Sequence, residues 1–113
     1  MPDQGDIVLI PVPFTDLSSQ KRRPVVVISN DRYHRANSDM VVVAMTSTPQ
    51  INKYGLGITS KDLSGGTLNR PGTVRVDKIY TLSRSLVAKV FGRVNDTTLE
   101  RIRALLADLV AKK

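Results

Sequence analysis

PVVVIS at residues 24–29 and MVVVAM at residues 40–45 decide the fold class. Both are rich in β-branched valine, which is stiff at χ1 and fits a pleated surface better than a helix. Both are also too short for a buried helix. They read as buried strands over Val25–Ser29 and Met40–Met45, joined by the polar segment NDRYHRANSD, which has room for one helical turn.

On the N-terminal side, Ile7–Val12 reads as a first strand entered through Gly5-Asp6. Its prolines, Pro11 and Pro13, cannot donate to a ladder and predict an edge or a bend rather than a central strand. Residues 13–23 read as a polar loop. On the C-terminal side, residues 48–71 carry four glycines and two prolines, so only a short strand is expected there, at Leu56–Thr59. The alternation of TVRVDKIYTL predicts a strand over Thr73–Leu82, and Val87–Val94 gives a sixth.

The chain ends in an amphipathic helix over about residues 97–111. Leu99, Ile102, Leu105, Leu106, Leu109 and Val110 recur at helical spacing, with Glu100, Arg101, Arg103 and Lys112 outside. Thr97-Thr98-Leu99-Glu100 fits a capping box. Five or six short strands and one helix predict a mainly β protein, a small curled sheet or barrel with a helix packed on it. At 113 residues, one domain is expected.

Composition narrows the function. Seventeen Lys and Arg against ten Asp and Glu give a formal charge of +7, which favours a polyanionic partner. With no cysteine, disulfides and thiolate metal sites are excluded, and a reducing compartment is expected. No run approaches the roughly 20 apolar residues of a membrane helix, and the N-terminus is no signal peptide, so a cytoplasmic protein with no membrane role is expected. Five aromatics among 113 residues argue against a broad base-stacking platform as the basis of binding; charge and hydrogen bonds must carry it.

The chemistry-bearing residues are few. Arg75 and Asp77 are two apart on one strand, hence on the same face and about 6.6 Å apart along it. The bland alternative is a surface ion pair worth under about 1 kcal/mol. Thr46 and Ser47 end the MVVVAM strand where side chains leave the core. His34, the sole histidine, lies in the polar segment and is expected to be a surface residue without a role. No nucleophile elbow and no glycine-rich phosphate cradle is visible.

Taken in order, GDIVLIPVPFTD, KRRPVVVIS, VVVAMTS and GTVRVDKIYTLS, followed by a terminal helix, resemble the MazF/PemK family of mRNA-cleaving toxins from type II toxin–antitoxin systems. The likeness runs from Gly5 to about Val110. It implies an SH3-like barrel with a C-terminal helix, assembled as a homodimer whose groove holds single-stranded RNA. It implies catalytic roles for Arg23, Thr46, Arg75 and Asp77, with Lys21, Arg22, Ser47, Arg70 and Lys78 binding RNA. The family reaction is attack of a ribose 2′-hydroxyl on the adjacent phosphorus, giving a 2′,3′-cyclic phosphate and a 5′-hydroxyl with no metal and no cofactor. Asp77 would be the base, because arginine stays protonated. A cognate antitoxin with an acidic C-terminal tail is the expected partner. The segment DLSSQ before KRRP is shorter than in many relatives and lacks their glutamate. A basic SH3-like module that binds RNA or a ribosome without catalysis is the alternative.

Overall fold

Seven antiparallel strands form one curled sheet in the order β4-β6-β3-β2-β1-β7-β5. The computed structural model describes residues 2–11, 22–48 and 52–113. The strands are β1 (Asp6–Pro11), β2 (Arg22–Val27), β3 (Asp39–Thr46), β4 (Gly55–Ile58), β5 (Leu63–Gly65), β6 (Gly72–Ser83) and β7 (Lys89–Val94), with helices α1 (Asp31–Ala36) and α2 (Asp96–Val110). The expected sheet with a C-terminal helix is thus the observed architecture, a half-barrel carrying α2.

Alternation along the central strands sends apolar side chains to both faces of the sheet. Ile7, Val26, Val43, Met45, Val74 and Val76 join a core completed by Ile102 of α2, with Leu99, Leu105 and Leu106 packed on it. Val8, Ile10, Val25, Val27, Met40 and Val42 form a second cluster on the other face, beneath Tyr80, Leu82, Leu86 and Val87. Burial on both faces explains why β2 and β3 read as unbroken apolar runs.

Several boundaries differ from the sequence reading, each for a visible reason. β1 is interior, between β2 and β7, despite its prolines. Its pairing with β7 ends at Leu9, whereas Pro11 faces only Arg22 of β2. Proline is therefore tolerated at the strand's last residue. β2 starts at Arg22, three residues before the apolar run, so Arg22 and Arg23 are strand residues and not loop. β5 was not expected; Leu63 pairs with Val94 at the sheet's far edge.

The capping box expected at residues 97–100 is absent. Helix α2 starts one residue earlier, and Asn95 is its N-cap, accepting from the Thr98 amide at 2.8 Å. The choice is tertiary: the Asn95 amide donates to the Asp62 carbonyl at 2.8 Å, which fixes the chain's entry angle. A reciprocal cap does occur at Thr59 and Asp62, around a single 3-10 turn. Within α2, Val110 is 78% exposed and leaves the expected core stripe.

His34 is also a correction. It is 5% exposed, and its Nε2 lies 2.7 Å from the Ser29 hydroxyl, which accepts from the Val41 amide at 2.9 Å. The histidine pins α1 against β3; it is not a surface residue.

Candidate RNA-binding site

Register brings the residues of the candidate site onto one face. Val25 pairs with Ala44, and Ala44 pairs with Arg75, so one row crosses β2, β3 and β6. Two residues along each strand, on the same face, stand Arg23, Thr46 and Thr73; Thr46 and Thr73 are themselves partners. This is the face of the second apolar cluster, to which Val25 and Val42 belong. Arg22, the neighbour of Arg23, falls on the opposite face by the same alternation.

A 380 Å³ hollow at this end is lined by Ile10, Arg23, Pro24, Val25, Ala44, Met45, Thr46, Thr48 and Tyr80. It joins a guanidinium, a hydroxyl and a phenol over an apolar floor. Thr46 is positioned by the turn that ends β3: its Oγ1 accepts from the Thr48 amide at 3.1 Å, leaving the hydroxyl proton to donate. Among the described residues no hydrogen bond engages the Arg23 side chain.

Arg75 and Asp77 lie beside this hollow, and the backbone there is irregular. Ala44 pairs with Arg75 but the preceding Val43 pairs with Ile79, so Val76, Asp77 and Lys78 bulge out of the β3 ladder. Val76 turns into the core, fully buried, and its amide donates to the Tyr54 carbonyl at 2.9 Å. Asp77 and Lys78 are left outside, and Asp77 closes back on Arg75. The fork is bidentate, Nε to Oδ1 at 3.1 Å and a terminal nitrogen to Oδ2 at 3.2 Å. Such a bulge re-aims side chains, which simple alternation could not reveal.

The pair sets its own electrostatics. The hydrogen bonds from Arg75 hold the Asp77 carboxyl below the usual carboxylate range, against the opposing effect of partial burial. The same bonds raise the Arg75 guanidinium further above its ordinary value. Asp77 is therefore an anion and Arg75 a cation at every physiological pH.

Behind the bulge, Tyr54 ties β6 to the C-terminal helix. Its hydroxyl donates to Asp108 Oδ2 at 2.8 Å, and Lys53 and Lys113 reach the same carboxylate at 2.9 and 3.0 Å. These hydrogen bonds drive the Asp108 pKa far down. Neither Tyr54 nor Asp108 stood out in the sequence, because the contact spans 54 positions.

The remaining expected residues scatter. Ser47 and Arg70 line a separate hollow that shares Pro24, Met45 and Thr46 with the first. Lys78 sits exposed on the bulge, and Lys21 lies outside the described residues. Tyr80 in the hollow's wall is an addition to the sequence-based set. No described helix is long and apolar enough to cross a membrane.

Among solved structures, an endoribonuclease in complex with its cognate antitoxin from a mycobacterial species superposes with a TM-score of 0.80 at 21% identity, covering 100% of both chains. An endoribonuclease from a mycobacterial species gives 0.74 at 25% identity, over 95% of this chain and 88% of that one. A MazE–MazF structure from Deinococcus radiodurans gives 0.79 at 24%, over 99% and 98%. No curated protein matches the chain. The family of PemK-like, MazF-like toxins of type II toxin–antitoxin systems matches residues 3–110, with the strand-end threonine and the arginine–aspartate fork inside that span, and the chain belongs to it.

Proposed function

We propose that this protein is an endoribonuclease toxin that cleaves single-stranded RNA by transesterification and is silenced by a cognate antitoxin. The observation that carries the reading is the bidentate Arg75–Asp77 fork on a strand bulge, beside a hollow holding Arg23 and Thr46.

The reaction has three needs: a proton acceptor for the ribose 2′-hydroxyl, cations for the phosphorane oxygens, and stabilisation of the departing 5′-oxygen. Asp77 is the acceptor. Its lowered pKa keeps it ionised but makes it a weak base, and the substrate corrects this. A phosphate that takes hydrogen bonds from Arg75 competes with Asp77, so the carboxylate's affinity for a proton rises when RNA is bound. Arg23 and Arg75 contact non-bridging oxygens, Thr46 donates to one of them, and the charge of Arg75 stabilises the leaving oxygen.

Two partners follow. An antitoxin tail bearing carboxylates would compete with RNA for Arg23 and Arg75. A second copy of the chain would extend the groove, its contact area including Val90, half exposed on the face of Val8. The direct test is an RNA with one deoxyribose 5′ of the scissile phosphate, assayed in excess EDTA. Cleavage of the all-ribose strand, and none of the substituted one, is the expected result. Cleavage of both, or restoration only by Mg²⁺, refutes the mechanism, while binding without cleavage points to a non-catalytic module.

A further inference from the structure

The second hollow, on the helix-side face of the same strand ends, has no role in the reaction just described. It measures 240 Å³, and its walls are Leu9, Pro24, Met45, Leu68, Pro71 and Phe91. That is smaller than the roughly 300–1,000 Å³ of sites for drug-sized ligands and suits one flat group. We infer that this hollow receives a single unstacked nucleobase of the RNA, sandwiched against Phe91 and read by Asn69. The inference rests on the endoribonuclease reading and extends it to sequence preference.

Three observations converge. The first is continuity: Pro24, Met45 and Thr46 form the wall between this hollow and the one holding Arg23, so a phosphate on one side and a base on the other can belong to neighbouring parts of one strand. The second is the rim. Asn69 and Arg70 line the opening, and among the described residues no hydrogen bond engages the side chain of either. A carboxamide offers both a donor and an acceptor, which matches a base edge. An aliphatic anchor from a protein partner would cover that amide without pairing it, at a desolvation cost. The third is rigidity. The Ser60 hydroxyl accepts from the Leu68 amide at 2.8 Å and donates to its carbonyl at 3.2 Å, so the loop presenting Asn69 is held in place before any ligand arrives. Preorganised walls lower the ordering cost of binding. Phe91, half-buried over the core, supplies the ring face on which a base stacks.

The test uses the full-length protein and an oligoribonucleotide cleaved at one site, in which abasic residues replace each nucleotide in turn. At one position near the scissile phosphate the abasic substitution is expected to slow cleavage by about 5- to 150-fold, the range that corresponds to the loss of one stacked base. In Asn69→Ala the preference for the natural base over the other three at that position should fall about tenfold. In Phe91→Leu, which keeps an apolar wall, the abasic penalty should shrink. Abasic scanning of the unsubstituted protein reads the stacking slot even where a variant fails to fold. If no single position is sensitive, or if Asn69→Ala keeps the full base preference, the inference fails. It also fails if Asn69→Ala loosens antitoxin affinity alone, which would make the hollow a protein anchor. An unsubstituted protein that cleaves none of the strands would instead bring down the endoribonuclease reading.

Discussion

Two arginine–aspartate pairs of the same chemistry hold opposite places in this molecule. Asp6 and Arg93 face each other across β1 and β7, joined at 2.8 Å, and Asp6 also accepts from the Asp3 amide at 2.8 Å. Asp6 is 8% exposed, so its carboxylate is committed to closing the start of the sheet. Arg75 and Asp77 lie two apart on one strand, Arg75 in the ladder opposite Ala44 and Asp77 on the bulge beyond it, with the aspartate side chain 30% exposed. The first pair satisfies a buried carboxylate with two donors, although Arg93 itself is 44% exposed. The second carries an exposed carboxylate on a bidentate fork, next to the hollow lined by Arg23 and Thr46, where an incoming anion can compete for the guanidinium.

That contrast predicts opposite effects of removing either carboxylate. Asp77→Asn keeps the size of the side chain and removes the proton acceptor, so cleavage should fall about 10²- to 10⁴-fold. Stability should change by under about 1 kcal/mol, as for an exposed pair. Initial rates on a fixed RNA, with a denaturant midpoint measured alongside, check both halves. A variant that cleaves at the unsubstituted rate removes Asp77 from the base role.

Asp6→Ala should invert the pattern. It removes two hydrogen bonds that hold the start of the sheet, from the Arg93 guanidinium and the Asp3 amide, at a net cost of about 1–3 kcal/mol. The denaturant midpoint should drop at constant m-value, and the surviving folded fraction should cleave normally. A loss of activity greater than the loss of folded protein would show that the two pairs are less separate than their geometry implies.

Between these lies Tyr54→Phe. It deletes the 2.8 Å bond to Asp108 but leaves the Tyr54 carbonyl that receives the Val76 amide. A net loss of about 1 kcal/mol is expected. Because the backbone contact that shapes the bulge survives, cleavage should fall far less than in Asp77→Asn. An equal fall would make the phenol a positioning group for the bulge.

The sequence was readable where one local rule decides the structure. The apolar runs of β2 and β3, the 3.6-residue stripe of α2 and the strand end at Thr46 each follow from a single periodicity. Misread features depended on contacts distant in sequence. Asn95 beats Thr97 as the cap because Asp62 holds its amide, and His34 is buried because Ser29 and Val41 receive it. The site shows the same division. Alternation put Arg75 and Asp77 on one face, but the bulge that separates Asp77 from β3 is invisible in TVRVDK, since Val76 goes inward as alternation says while the register beyond it slips. The roles of Arg23 and Thr46 come from the resemblance alone, and their place on one face comes from the register.

The pH profile gives the smallest expected change and still discriminates. In the folded protein Asp77 has a pKa below the ordinary 3.8, through the hydrogen bonds of Arg75. A depressed carboxyl pKa means that the pair's stabilisation is present above 3.8 and is lost only as pH falls through the lower, folded value. Asp77 is thus fully ionised from pH 5 upward in the free enzyme, and kcat/KM, which reports free-enzyme ionisations, should be flat between about pH 5 and 8. The sole histidine is bound to Ser29 on the far side of β3's start, away from Arg23 and Thr46. Under RNA saturation a limb in kcat should lie at higher pH than any in kcat/KM, because phosphate draws Arg75 away from the carboxylate. A fall in kcat in His34→Gln as large as that in Asp77→Asn would assign proton transfer to the buried histidine and leave the Arg75–Asp77 fork as a phosphate grip alone.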